Sequence, residues 1–502
     1  MSLLLKSIKL LRTAASFMLL PLLAWSCQLV VEDYDYDCEK DNDMGNLYIN
    51  VTISVSASPI TRANPTGGEY GDDVEKGVED RETKVNNITL IFYQDANGIN
   101  TTSDDAKVLC VKYYDVHPFI EGTDKPSSHT HKTGETDDVK SNEILYTTGD
   151  QKLDEALLEK GQAYKVLVVA NGTVPVMVGD KIKEVREKVL STVYTGTGIS
   201  INAADFVMVS ESDATVHLNT PVPSSTDENG FVYYFECIHI ERLAARIDFW
   251  TDKSNGYKTS TDNASYTTPG YEYIVKKSDD TDSNDRFVLT SITPFNLNNG
   301  NEFVFKRTNG SSNPYLANET LTNWVVDPYT LTKNGTAHPS YQVSTLDDVK
   351  ATFDNAFNVT MQEQQTNKLT IGTKDDIIVG YTKENTLSPG VSPLYYYATG
   401  LAFEGYYYKN GTGTGEHCVY YYFIRHQGEK DTAHDAYTAD NINDAKTELC
   451  PSTPAMNFGI VRNNIYRISI DKVTEKTPAE PKITIKIEEE KWRHVDNPAV
   501  YI

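Results

Sequence analysis

Segments in which apolar and polar residues alternate one by one recur along this chain, and this period of two constrains its fold most. They are residues 45–60 (GNLYINVTISVSASPI), 87–93 (NITLIFY), 164–169 (YKVLVV), 238–249 (IHIERLAARIDF), 466–470 (YRISI) and 482–488 (KITIKIE). Such alternation is typical of β-strands that turn one face to a core and the other to water. The 32 tyrosines fit the same structure. The sequence therefore predicts an all-β protein of sandwiches with long loops.

Helical patterns are short by comparison. Residues 151–161 (QKLDEALLEKG) and 180–194 have helical spacing, so we expect a few short helices lying over the sandwiches. A chain of 502 residues exceeds one typical core, which predicts two domains. Polar, turn-rich stretches at 253–285 and 308–318 follow a plausible boundary near residue 245.

The N-terminus has the pattern of an export signal. Lys6, Lys9 and Arg12 precede an uncharged run that ends at Cys27, with Ala24 three places before it. The apolar run is shorter than the ~20 residues of a membrane-spanning helix, which predicts a cleaved signal peptide over residues 1–26. A cysteine at the cleavage point predicts lipidation of Cys27; the alternative is ordinary secretion with an incidental cysteine. An acidic tether follows, and it resembles the surface-export signal of Bacteroidetes lipoproteins.

Charge and cysteine usage exclude several classes of function. The chain has 46 Lys and Arg against 71 Asp and Glu, a net charge of −25, so nucleic acid is an unsuitable partner. Of the six cysteines, Cys418 and Cys450 are a candidate disulfide in an oxidising compartment, and no Cys/His group has metal spacing. No catalytic motif is present, so we expect no enzyme, no metal and no cofactor.

The first alternating segment lies just before a protease-sensitive arginine. Leu47, Ile49, Val51, Ile53 and Val55 form one apolar face. The bond between Arg62 and Ala63 follows, in a Gly- and acid-rich stretch that we expect a trypsin-like protease to reach. Loss of this strand would leave a groove without roughly 7 to 15 kcal/mol of gross apolar burial, at ~1.5 to 3 kcal/mol for each side chain.

The last alternating segment has the same pattern. Ile483, Ile485 and Ile487 share one face, and the proline-bearing linker 474–481 (TEKTPAEP) precedes them. Such a tail either remains in its own sheet or leaves to complete the sheet of another molecule. Trp492 is either an anchor in the partner's groove or a packed terminal aromatic. By pattern alone, ordinary terminal strands are the favoured interpretation.

Several segments resemble the fimbrillins of Bacteroidetes, the major fimbrial subunits of type V pili, and especially the short-fimbria subunit type. Residues 420–426 (YYYFIRH) and 458–473 (FGIVRNNIYRISIDKV) carry the clearest match. Residues 164–172 (YKVLVVANG), 205–210 (DFVMVS) and 241–249 (ERLAARIDF) resemble strands of the family's first domain. The resemblance spans most of the chain but is strong only after about residue 395.

The resemblance implies two transthyretin-like β-sandwich domains and a lipoprotein precursor whose first strand is removed by an arginine-specific protease. It assigns residues 1–26 to the signal peptide, 27–62 to the propeptide, 63–244 and 245–475 to the two domains, and 476–502 to the linker and donor strand. Its partners are further copies of the chain or related fimbrial subunits, the protease, the outer membrane through the lipid of Cys27, and surface receptors. The location is the surface of the outer membrane and, after processing, a fimbria that supports adhesion and biofilm formation. Glu488 to Lys491 depart from the family's longer apolar tail, and Arg81 is a rival cleavage site.

Clusters of tyrosine allow a second function. Residues 395–408 (YYYATGLAFEGYYY) and 419–423 (VYYYF) have the composition of a sugar-stacking platform. Alternating tyrosines of a β-sandwich more often pack half-buried with their hydroxyl groups at the rim. The alternative function is therefore a carbohydrate-binding surface lipoprotein.

Overall fold

Strands make up nearly all the regular structure of the chain. The computed structural model describes residues 46–56, 80–94, 105–120, 143–153, 158–159, 161–190, 206–219, 221–224, 226–235, 237–250, 258–259, 270–296, 298, 302–307, 325–328, 376–387, 397–425, 433–438, 458–475 and 482–491. The predicted all-β class is confirmed within these ranges.

The first half of the chain contains fourteen of the described strands. They are β1 (Leu47–Asn50), β2 (Thr52–Ser56), β3 (Asn87–Gln94), β4 (Lys107–Asp115), β5 (His117–Pro118), β6 (Glu143–Thr147), β7 (Gln151–Lys152), β8 (Ala163–Ala170), β9 (Val189–Leu190), β10 (Met208–Ser210), β11 (Ala214–His217), β12 (Val222–Pro223), β13 (Phe231–Tyr234) and β14 (Ile238–Arg242).

The second half contains the other twelve. They are β15 (Ala245–Trp250), β16 (Lys258–Thr259), β17 (Tyr271–Lys276), β18 (Asp282–Phe295), β19 (Glu302–Phe303), β20 (Asp376–Thr382), β21 (Gly400–Tyr408), β22 (Glu416–Phe423), β23 (Ala433–Asp435), β24 (Tyr437–Thr438), β25 (Asn464–Thr474) and β26 (Lys482–Lys491).

The helices are short, as predicted, although one predicted position is wrong. Among the described residues, α1 is Asp80–Thr83, α2 is Ile182–Arg186 and a 3-10 turn spans Lys409–Gly411. Gln151 and Lys152, where a helix was predicted, form β7 because they pair with β1. The second predicted helix shrinks to α2, and the β-branched Val189 then begins a strand.

Strands of the first half form two sheets around one core. One sheet has the order β12-β13-β1-β7, and the other has the order β4-β3-β8-β10-β14-β2-β6-β5, with β11 alongside β8. Leu47 and Tyr233 from the first sheet pack in one apolar cluster with Ile53, Ile88 and Val166 from the second. The N-terminal strand therefore belongs to both layers of this sandwich.

Strands from Ala245 onward form a sheet of their own, except for β19, which pairs with β9 of the first half in a separate two-stranded sheet. The order of the larger sheet is β20-β15-β25-β17-β18-β21-β22-β24, with β16 beside β17 and β26 between β25 and β23. Val379 near one edge and Ala436 near the other contribute to the same apolar core, so the sheet curls over it. The sheets change at Leu243 and Ala244, between β14 and β15. The division into two domains at residues 244 and 245 remains a prediction.

Several strands are buried on both faces, and the expectation of one wet face is wrong for them. On β3, Ile88, Leu90 and Phe92 enter the sandwich core, whereas Ile91 and Tyr93 enter a second cluster. That cluster is closed from outside by α2 and by residues 304–305. The sequence segments that cover β3 lie far from it along the chain, so its local alternation could not reveal them.

Buried charges join the two halves of the chain. Arg246 donates from Nε and Nη2 to Asp248 at 2.8 Å each and pairs with Glu82 of α1 at 3.2 Å. Arg242 donates from Nε to the Glu82 carbonyl at 2.6 Å, and burial lowers its pKa to about 10. Burial also lowers the pKa of Arg246, but Asp248 and Glu82 raise it above its usual value. Each of these charges has its partner inside the protein, as buried ions require.

A second buried group contains two carboxylates and one guanidinium. Arg462 pairs with Glu384 at 2.8 Å and with Glu302 at 3.7 Å, and it also donates to two carbonyl groups. The Oε2 atom of Glu302 is buried and has no hydrogen-bond partner among the residues that the structure describes. Burial raises the pKa of Glu302 to about 8; Arg462 opposes the shift and Glu384 adds to it.

This arrangement predicts a pH-dependent stability. The unfolded chain loses the Glu302 proton near the ordinary pKa of 4.5, whereas the folded chain keeps it to about 8. The folded state binds more protons in this window, so the contribution of Glu302 is full below pH 4.5 and is lost as pH rises through about 8. We expect Glu302→Gln to flatten the fall in urea midpoint between pH 5 and 8. Glu228→Gln, at an exposed position, is the control, and an equal slope in both variants would contradict the assignment.

Candidate functional site: the groove of the N-terminal strand

The N-terminal strand lies between two walls. On one side β1 and β2 run parallel to β13 and β14, with Leu47 beside Phe231 and Ile53 beside Ile238. On the other side they run antiparallel to β7 and β6. We call the space that residues 47–55 occupy between these walls the groove.

The apolar face of this strand is fully inside the protein. Relative exposure is 3% for Leu47, 1% for Ile49 and 0% for Val51, Ile53 and Val55. All of these side chains belong to the first-half core. Each of these five positions therefore requires an apolar side chain, because a charge there would lose its hydration without a partner.

The polar face of the strand is held by hydrogen bonds. Asn46 Nδ2 and Tyr48 Oη donate to Oδ2 of Asp227 at 2.9 and 3.0 Å, and Asn50 Nδ2 donates to Oδ1 of Asp150 at 3.0 Å. Hydrogen bonds from Asn46, the backbone N–H of Asn229 and Tyr48 lower the pKa of Asp227. Both carboxylates come from loops that flank the groove.

The middle of the polar face is buried as well. Asn50, Thr52 and Ser54 are 5%, 3% and 2% exposed, so the expectation of a wet face is wrong here too. Thr147 Oγ1 donates to Asn50 at 2.8 Å, and Ser54 shares a hydrogen bond of 2.6 Å with Nδ1 of His239. Asn50 and Ser54 fit this layer because they are both covered and hydrogen-bonded, whereas the Thr52 hydroxyl is buried with no hydrogen-bond partner among the described residues.

Removal of the strand would divide both sheets of the first half. Among the described strands, β7 pairs with β1 alone, and β6 pairs with β2 and β5. The parallel wall of β13 and β14 would then have no ladder to the wall of β6 and β7. An emptied groove thus exposes the unpaired edges of four strands, β13 and β14 on one wall and β6 and β7 on the other, in addition to its apolar floor.

The C-terminal strand lies in its own molecule. The backbone of β26 pairs antiparallel with β25, with Ile483 beside Val473, Ile485 beside Ile470 and Ile487 beside Ile468. Its other edge pairs with β23. In this structure the segment therefore pairs within its own chain, which is one of the two arrangements that the sequence allows. Its donation to another molecule stays a prediction.

Other predicted site residues lie outside the described ranges. These are Cys27, Arg62, Ala63, Trp492 and Cys450, together with the signal peptide and the tether. Cys418 is buried on β22. Its pairing with Cys450 stays a prediction because Cys450 lies outside the described residues. In the parts of the chain that the structure covers, no group of three or more His, Cys, Asp or Glu could hold a metal ion. The described helices include none that is long and apolar enough to cross a membrane.

The tyrosine clusters are mostly part of the core. Tyr397, Tyr408, Tyr420, Tyr421 and Tyr422 are each less than 5% exposed, whereas Tyr406 and Tyr407 are half-buried. Stacking on a sugar needs exposed ring faces, so these rings favour packing. Tyr395 and Tyr396 of the first cluster lie outside the described residues, and the described rings do not support the carbohydrate-binding alternative.

Sequence reasoning found the strand but missed the residues that hold its polar face. Asp150, Asp227 and His239 lie about one hundred residues or more from the strand along the chain. Acidic residues are common in polar loops, so no local signal in the sequence marks Asp150 or Asp227. Two of the segments that carry the family resemblance contact each other in the structure. Asn463 of VRNN accepts a hydrogen bond from the backbone N–H of Arg242 in ERLAARIDF at 3.2 Å.

Comparison with known proteins gives structural neighbours alone. No protein-family model matches the chain, and no curated protein matches it. A fimbrilin from Porphyromonas gingivalis W83 is 12% identical, with a TM-score of 0.38 over 91% of this chain and 100% of that one. The tip fimbrial protein Mfa3 of the same species, solved with a C-terminal truncation, is 11% identical, with a TM-score of 0.36 over 89% and 100%. A fimbrial assembly protein from Parabacteroides distasonis is 12% identical, with a TM-score of 0.31 over 89% and 96%.

These names are those of fimbrial proteins, the class that the sequence resembles. With identities this low and TM-scores below 0.5, the function has to be argued from the chain's own residues.

Proposed function

We propose that this chain is a structural subunit of a surface fimbria that polymerises by strand exchange after proteolysis. A cut between Arg62 and Ala63 releases the strand of residues 47–55, and the segment 482–488 of a second copy fills the groove. The observation that carries the proposal is the complete burial of Leu47, Ile49, Val51, Ile53 and Val55 in a strand that precedes an arginine-bearing, Gly- and acid-rich stretch.

The free energy of refilling drives assembly. The apolar residues of the strand correspond to roughly 7 to 15 kcal/mol of gross burial, at ~1.5 to 3 kcal/mol each. The edges of both walls also lose their backbone partners when the strand leaves. Ile483, Ile485 and Ile487 offer the same alternation in a segment that is already extended.

The position of Glu82 favours Arg62 over Arg81 as the processing site. Glu82 is fully buried, pairs with Arg246 and accepts a hydrogen bond from the Tyr381 hydroxyl. A cut after Arg81 would make Glu82 the chain terminus and place a charged amino group beside this cluster. A cut after Arg62 leaves the segment up to α1 attached.

The precursor is proposed to be a lipoprotein, anchored in the outer membrane through Cys27 and exposed at the cell surface. Processing then frees the subunit to join a fimbria that supports adhesion and biofilm formation. Apart from its cleavage by the protease, the proposed function requires no enzymatic step, metal or cofactor.

Limited digestion of the purified precursor with trypsin tests the proposal. We expect a new N-terminus at Ala63, followed by a ladder of polymers on SDS gels of unboiled samples. Arg62→Ala should remain uncut at this bond and monomeric, and Arg81→Ala is the control that should be cut and polymerise normally. A wild-type chain that is cut at Ala63 and stays monomeric would sink the proposal.

A further inference from the structure

Asp150 bridges the two walls of the groove over the N-terminal strand. It lies in the turn between β6 and β7, and its Oδ1 accepts the hydrogen bond from Asn50 at 3.0 Å. Its Oδ2 accepts hydrogen bonds from Ser224 Oγ and Thr226 Oγ1, both at 3.1 Å, in the turn between β12 and β13. The strand thus passes under a carboxylate whose partners come from the opposite wall.

Release of the strand removes one partner of this carboxylate and leaves the other two. Ser224 and Thr226 keep Asp150 aimed across the groove, while the place of Asn50 falls vacant. A half-buried carboxylate forms its strongest hydrogen bonds with a cation, which a lysine of an incoming strand supplies. Asp150 therefore favours an incoming strand with a lysine at the Asn50 position.

The apolar floor restricts how the segment 482–488 can enter in the direction of the resident strand. With Ile483 at Leu47, Glu489 would lie at Ile53, which is fully buried. With Ile483 at Ile49, Glu489 would lie at Val55, which is fully buried too. Both registers bury an unpaired carboxylate, which costs several kcal/mol or forces its protonation.

Two other registers place no charged residue at the buried apolar positions of the groove, and the residue that each of them brings to Asp150 distinguishes them. With Ile483 at Ile53, Glu480 would face Asp150, a contact between like charges. With Ile483 at Val51, Lys482 lies at Asn50 and faces Asp150 instead. Each of these two registers places one lysine in the buried polar layer, Lys486 at Ser54 or Lys482 at Thr52, so this cost does not separate them.

The register with Ile483 at Val51 matches the other neighbouring positions. Ile485 and Ile487 take the places of Ile53 and Val55, and Thr484 takes that of Thr52. Pro481 and Ala479 fall at Ile49 and Leu47, where both remain apolar. Glu480 falls at Tyr48, where Lys152 lies opposite in the ladder and offsets the nearby Asp227.

We propose that Asp150 sets the register of assembly by binding Lys482 of a second copy at the place where Asn50 now donates. This inference rests on the proposed strand exchange and adds to it the alignment of the two subunits. The donated segment then replaces chiefly β2, with Ile483, Ile485 and Ile487 over Val51, Ile53 and Val55.

A zero-length carbodiimide cross-link tests the contact in wild-type polymers. This reagent joins a carboxylate to an amine in direct contact, and mass spectrometry identifies the joined residues. We expect a cross-link between Asp150 and Lys482 in polymers but not in the uncut precursor. A cross-link between Asp150 and Lys486, or polymers without a cross-link at Asp150, would overturn the register. Absence of polymers in the wild type would instead count against strand exchange itself.

Charge reversal on a free donor peptide gives an independent measurement. The peptide of residues 476–492 is added to a cut subunit that ends at Thr477 and so has no donor segment of its own, and binding is followed by fluorescence anisotropy. We expect Lys482→Glu to weaken binding about tenfold and Lys486→Glu about threefold or less. Asp150→Lys in the subunit should restore binding of the Lys482→Glu peptide, whereas Asp227→Lys should not. Equal losses for the two peptides, or no restoration, would refute the assignment.

Discussion

A chain that ends at Thr477 is expected to be cut after Arg62 at the normal rate and to form no polymers of its own. It keeps the groove and the residues that line it, but it lacks Ile483, Ile485 and Ile487. Each empty groove then has no strand to take, so elongation on unboiled SDS gels should fall to background. A chain that ends at Trp492 keeps the whole donated segment and is the matched control, which should polymerise.

The shortened chain should still accept a strand from a complete subunit. Mixed with cut wild-type protein, it should enter polymers at one end and stop their growth, which shortens the ladder in proportion to its share. A misfolded chain would neither be incorporated nor shorten the ladder, so this mixture separates a missing donor from a damaged fold. Elongation of the shortened chain alone as fast as wild type would show that the tail is not the donor.

Local alternation predicted the strands well because it depends on neighbours within one segment. The stretches around Ile49, Ile88, Val166, Ile240 and Ile468 all form strands where their patterns indicated. Patterns of this kind also predicted which face of the N-terminal strand is apolar, and that face is buried.

Contacts between distant segments could not be predicted in this way. The double burial of β3 depends on α2 and residues 304–305, and the hydrogen bonds on the polar face of β1 depend on Asp150 and Asp227. Nothing in the composition of those loops marks them as part of a groove. The segments ERLAARIDF and VRNN are part of the resemblance, yet the contact between Arg242 and Asn463 at the junction depends on the order of strands in the sheets.

Replacement of Arg246 by Met is expected to lower the free energy of unfolding by about 3 to 5 kcal/mol, the usual cost of breaking a buried ion pair. The Arg246 side chain is 1% exposed and lies between Glu82 and Asp248, which are 0% and 7% exposed. Methionine keeps much of the volume and removes the charge, so Asp248 would lose its hydrogen-bonded cation and Glu82 would lose one of the two guanidinium groups beside it. Urea unfolding of the precursor, followed by circular dichroism and tryptophan fluorescence, measures the change.

Two comparisons show whether the loss comes from unpaired charge rather than from altered packing. Lys181→Met breaks an ion pair with Asp105 whose side chains are 49% and 81% exposed, and should lower the free energy of unfolding far less than Arg246→Met does. Adding Asp248→Asn to Arg246→Met removes the carboxylate that loses its cation and leaves Glu82 charged beside Arg242, so stability should recover in part. If the double variant is as unstable as the single one, the charge of Asp248 is not what Arg246 compensates. Because Glu82 follows the proposed cut and stays with the mature chain, the same loss of stability should appear before and after processing.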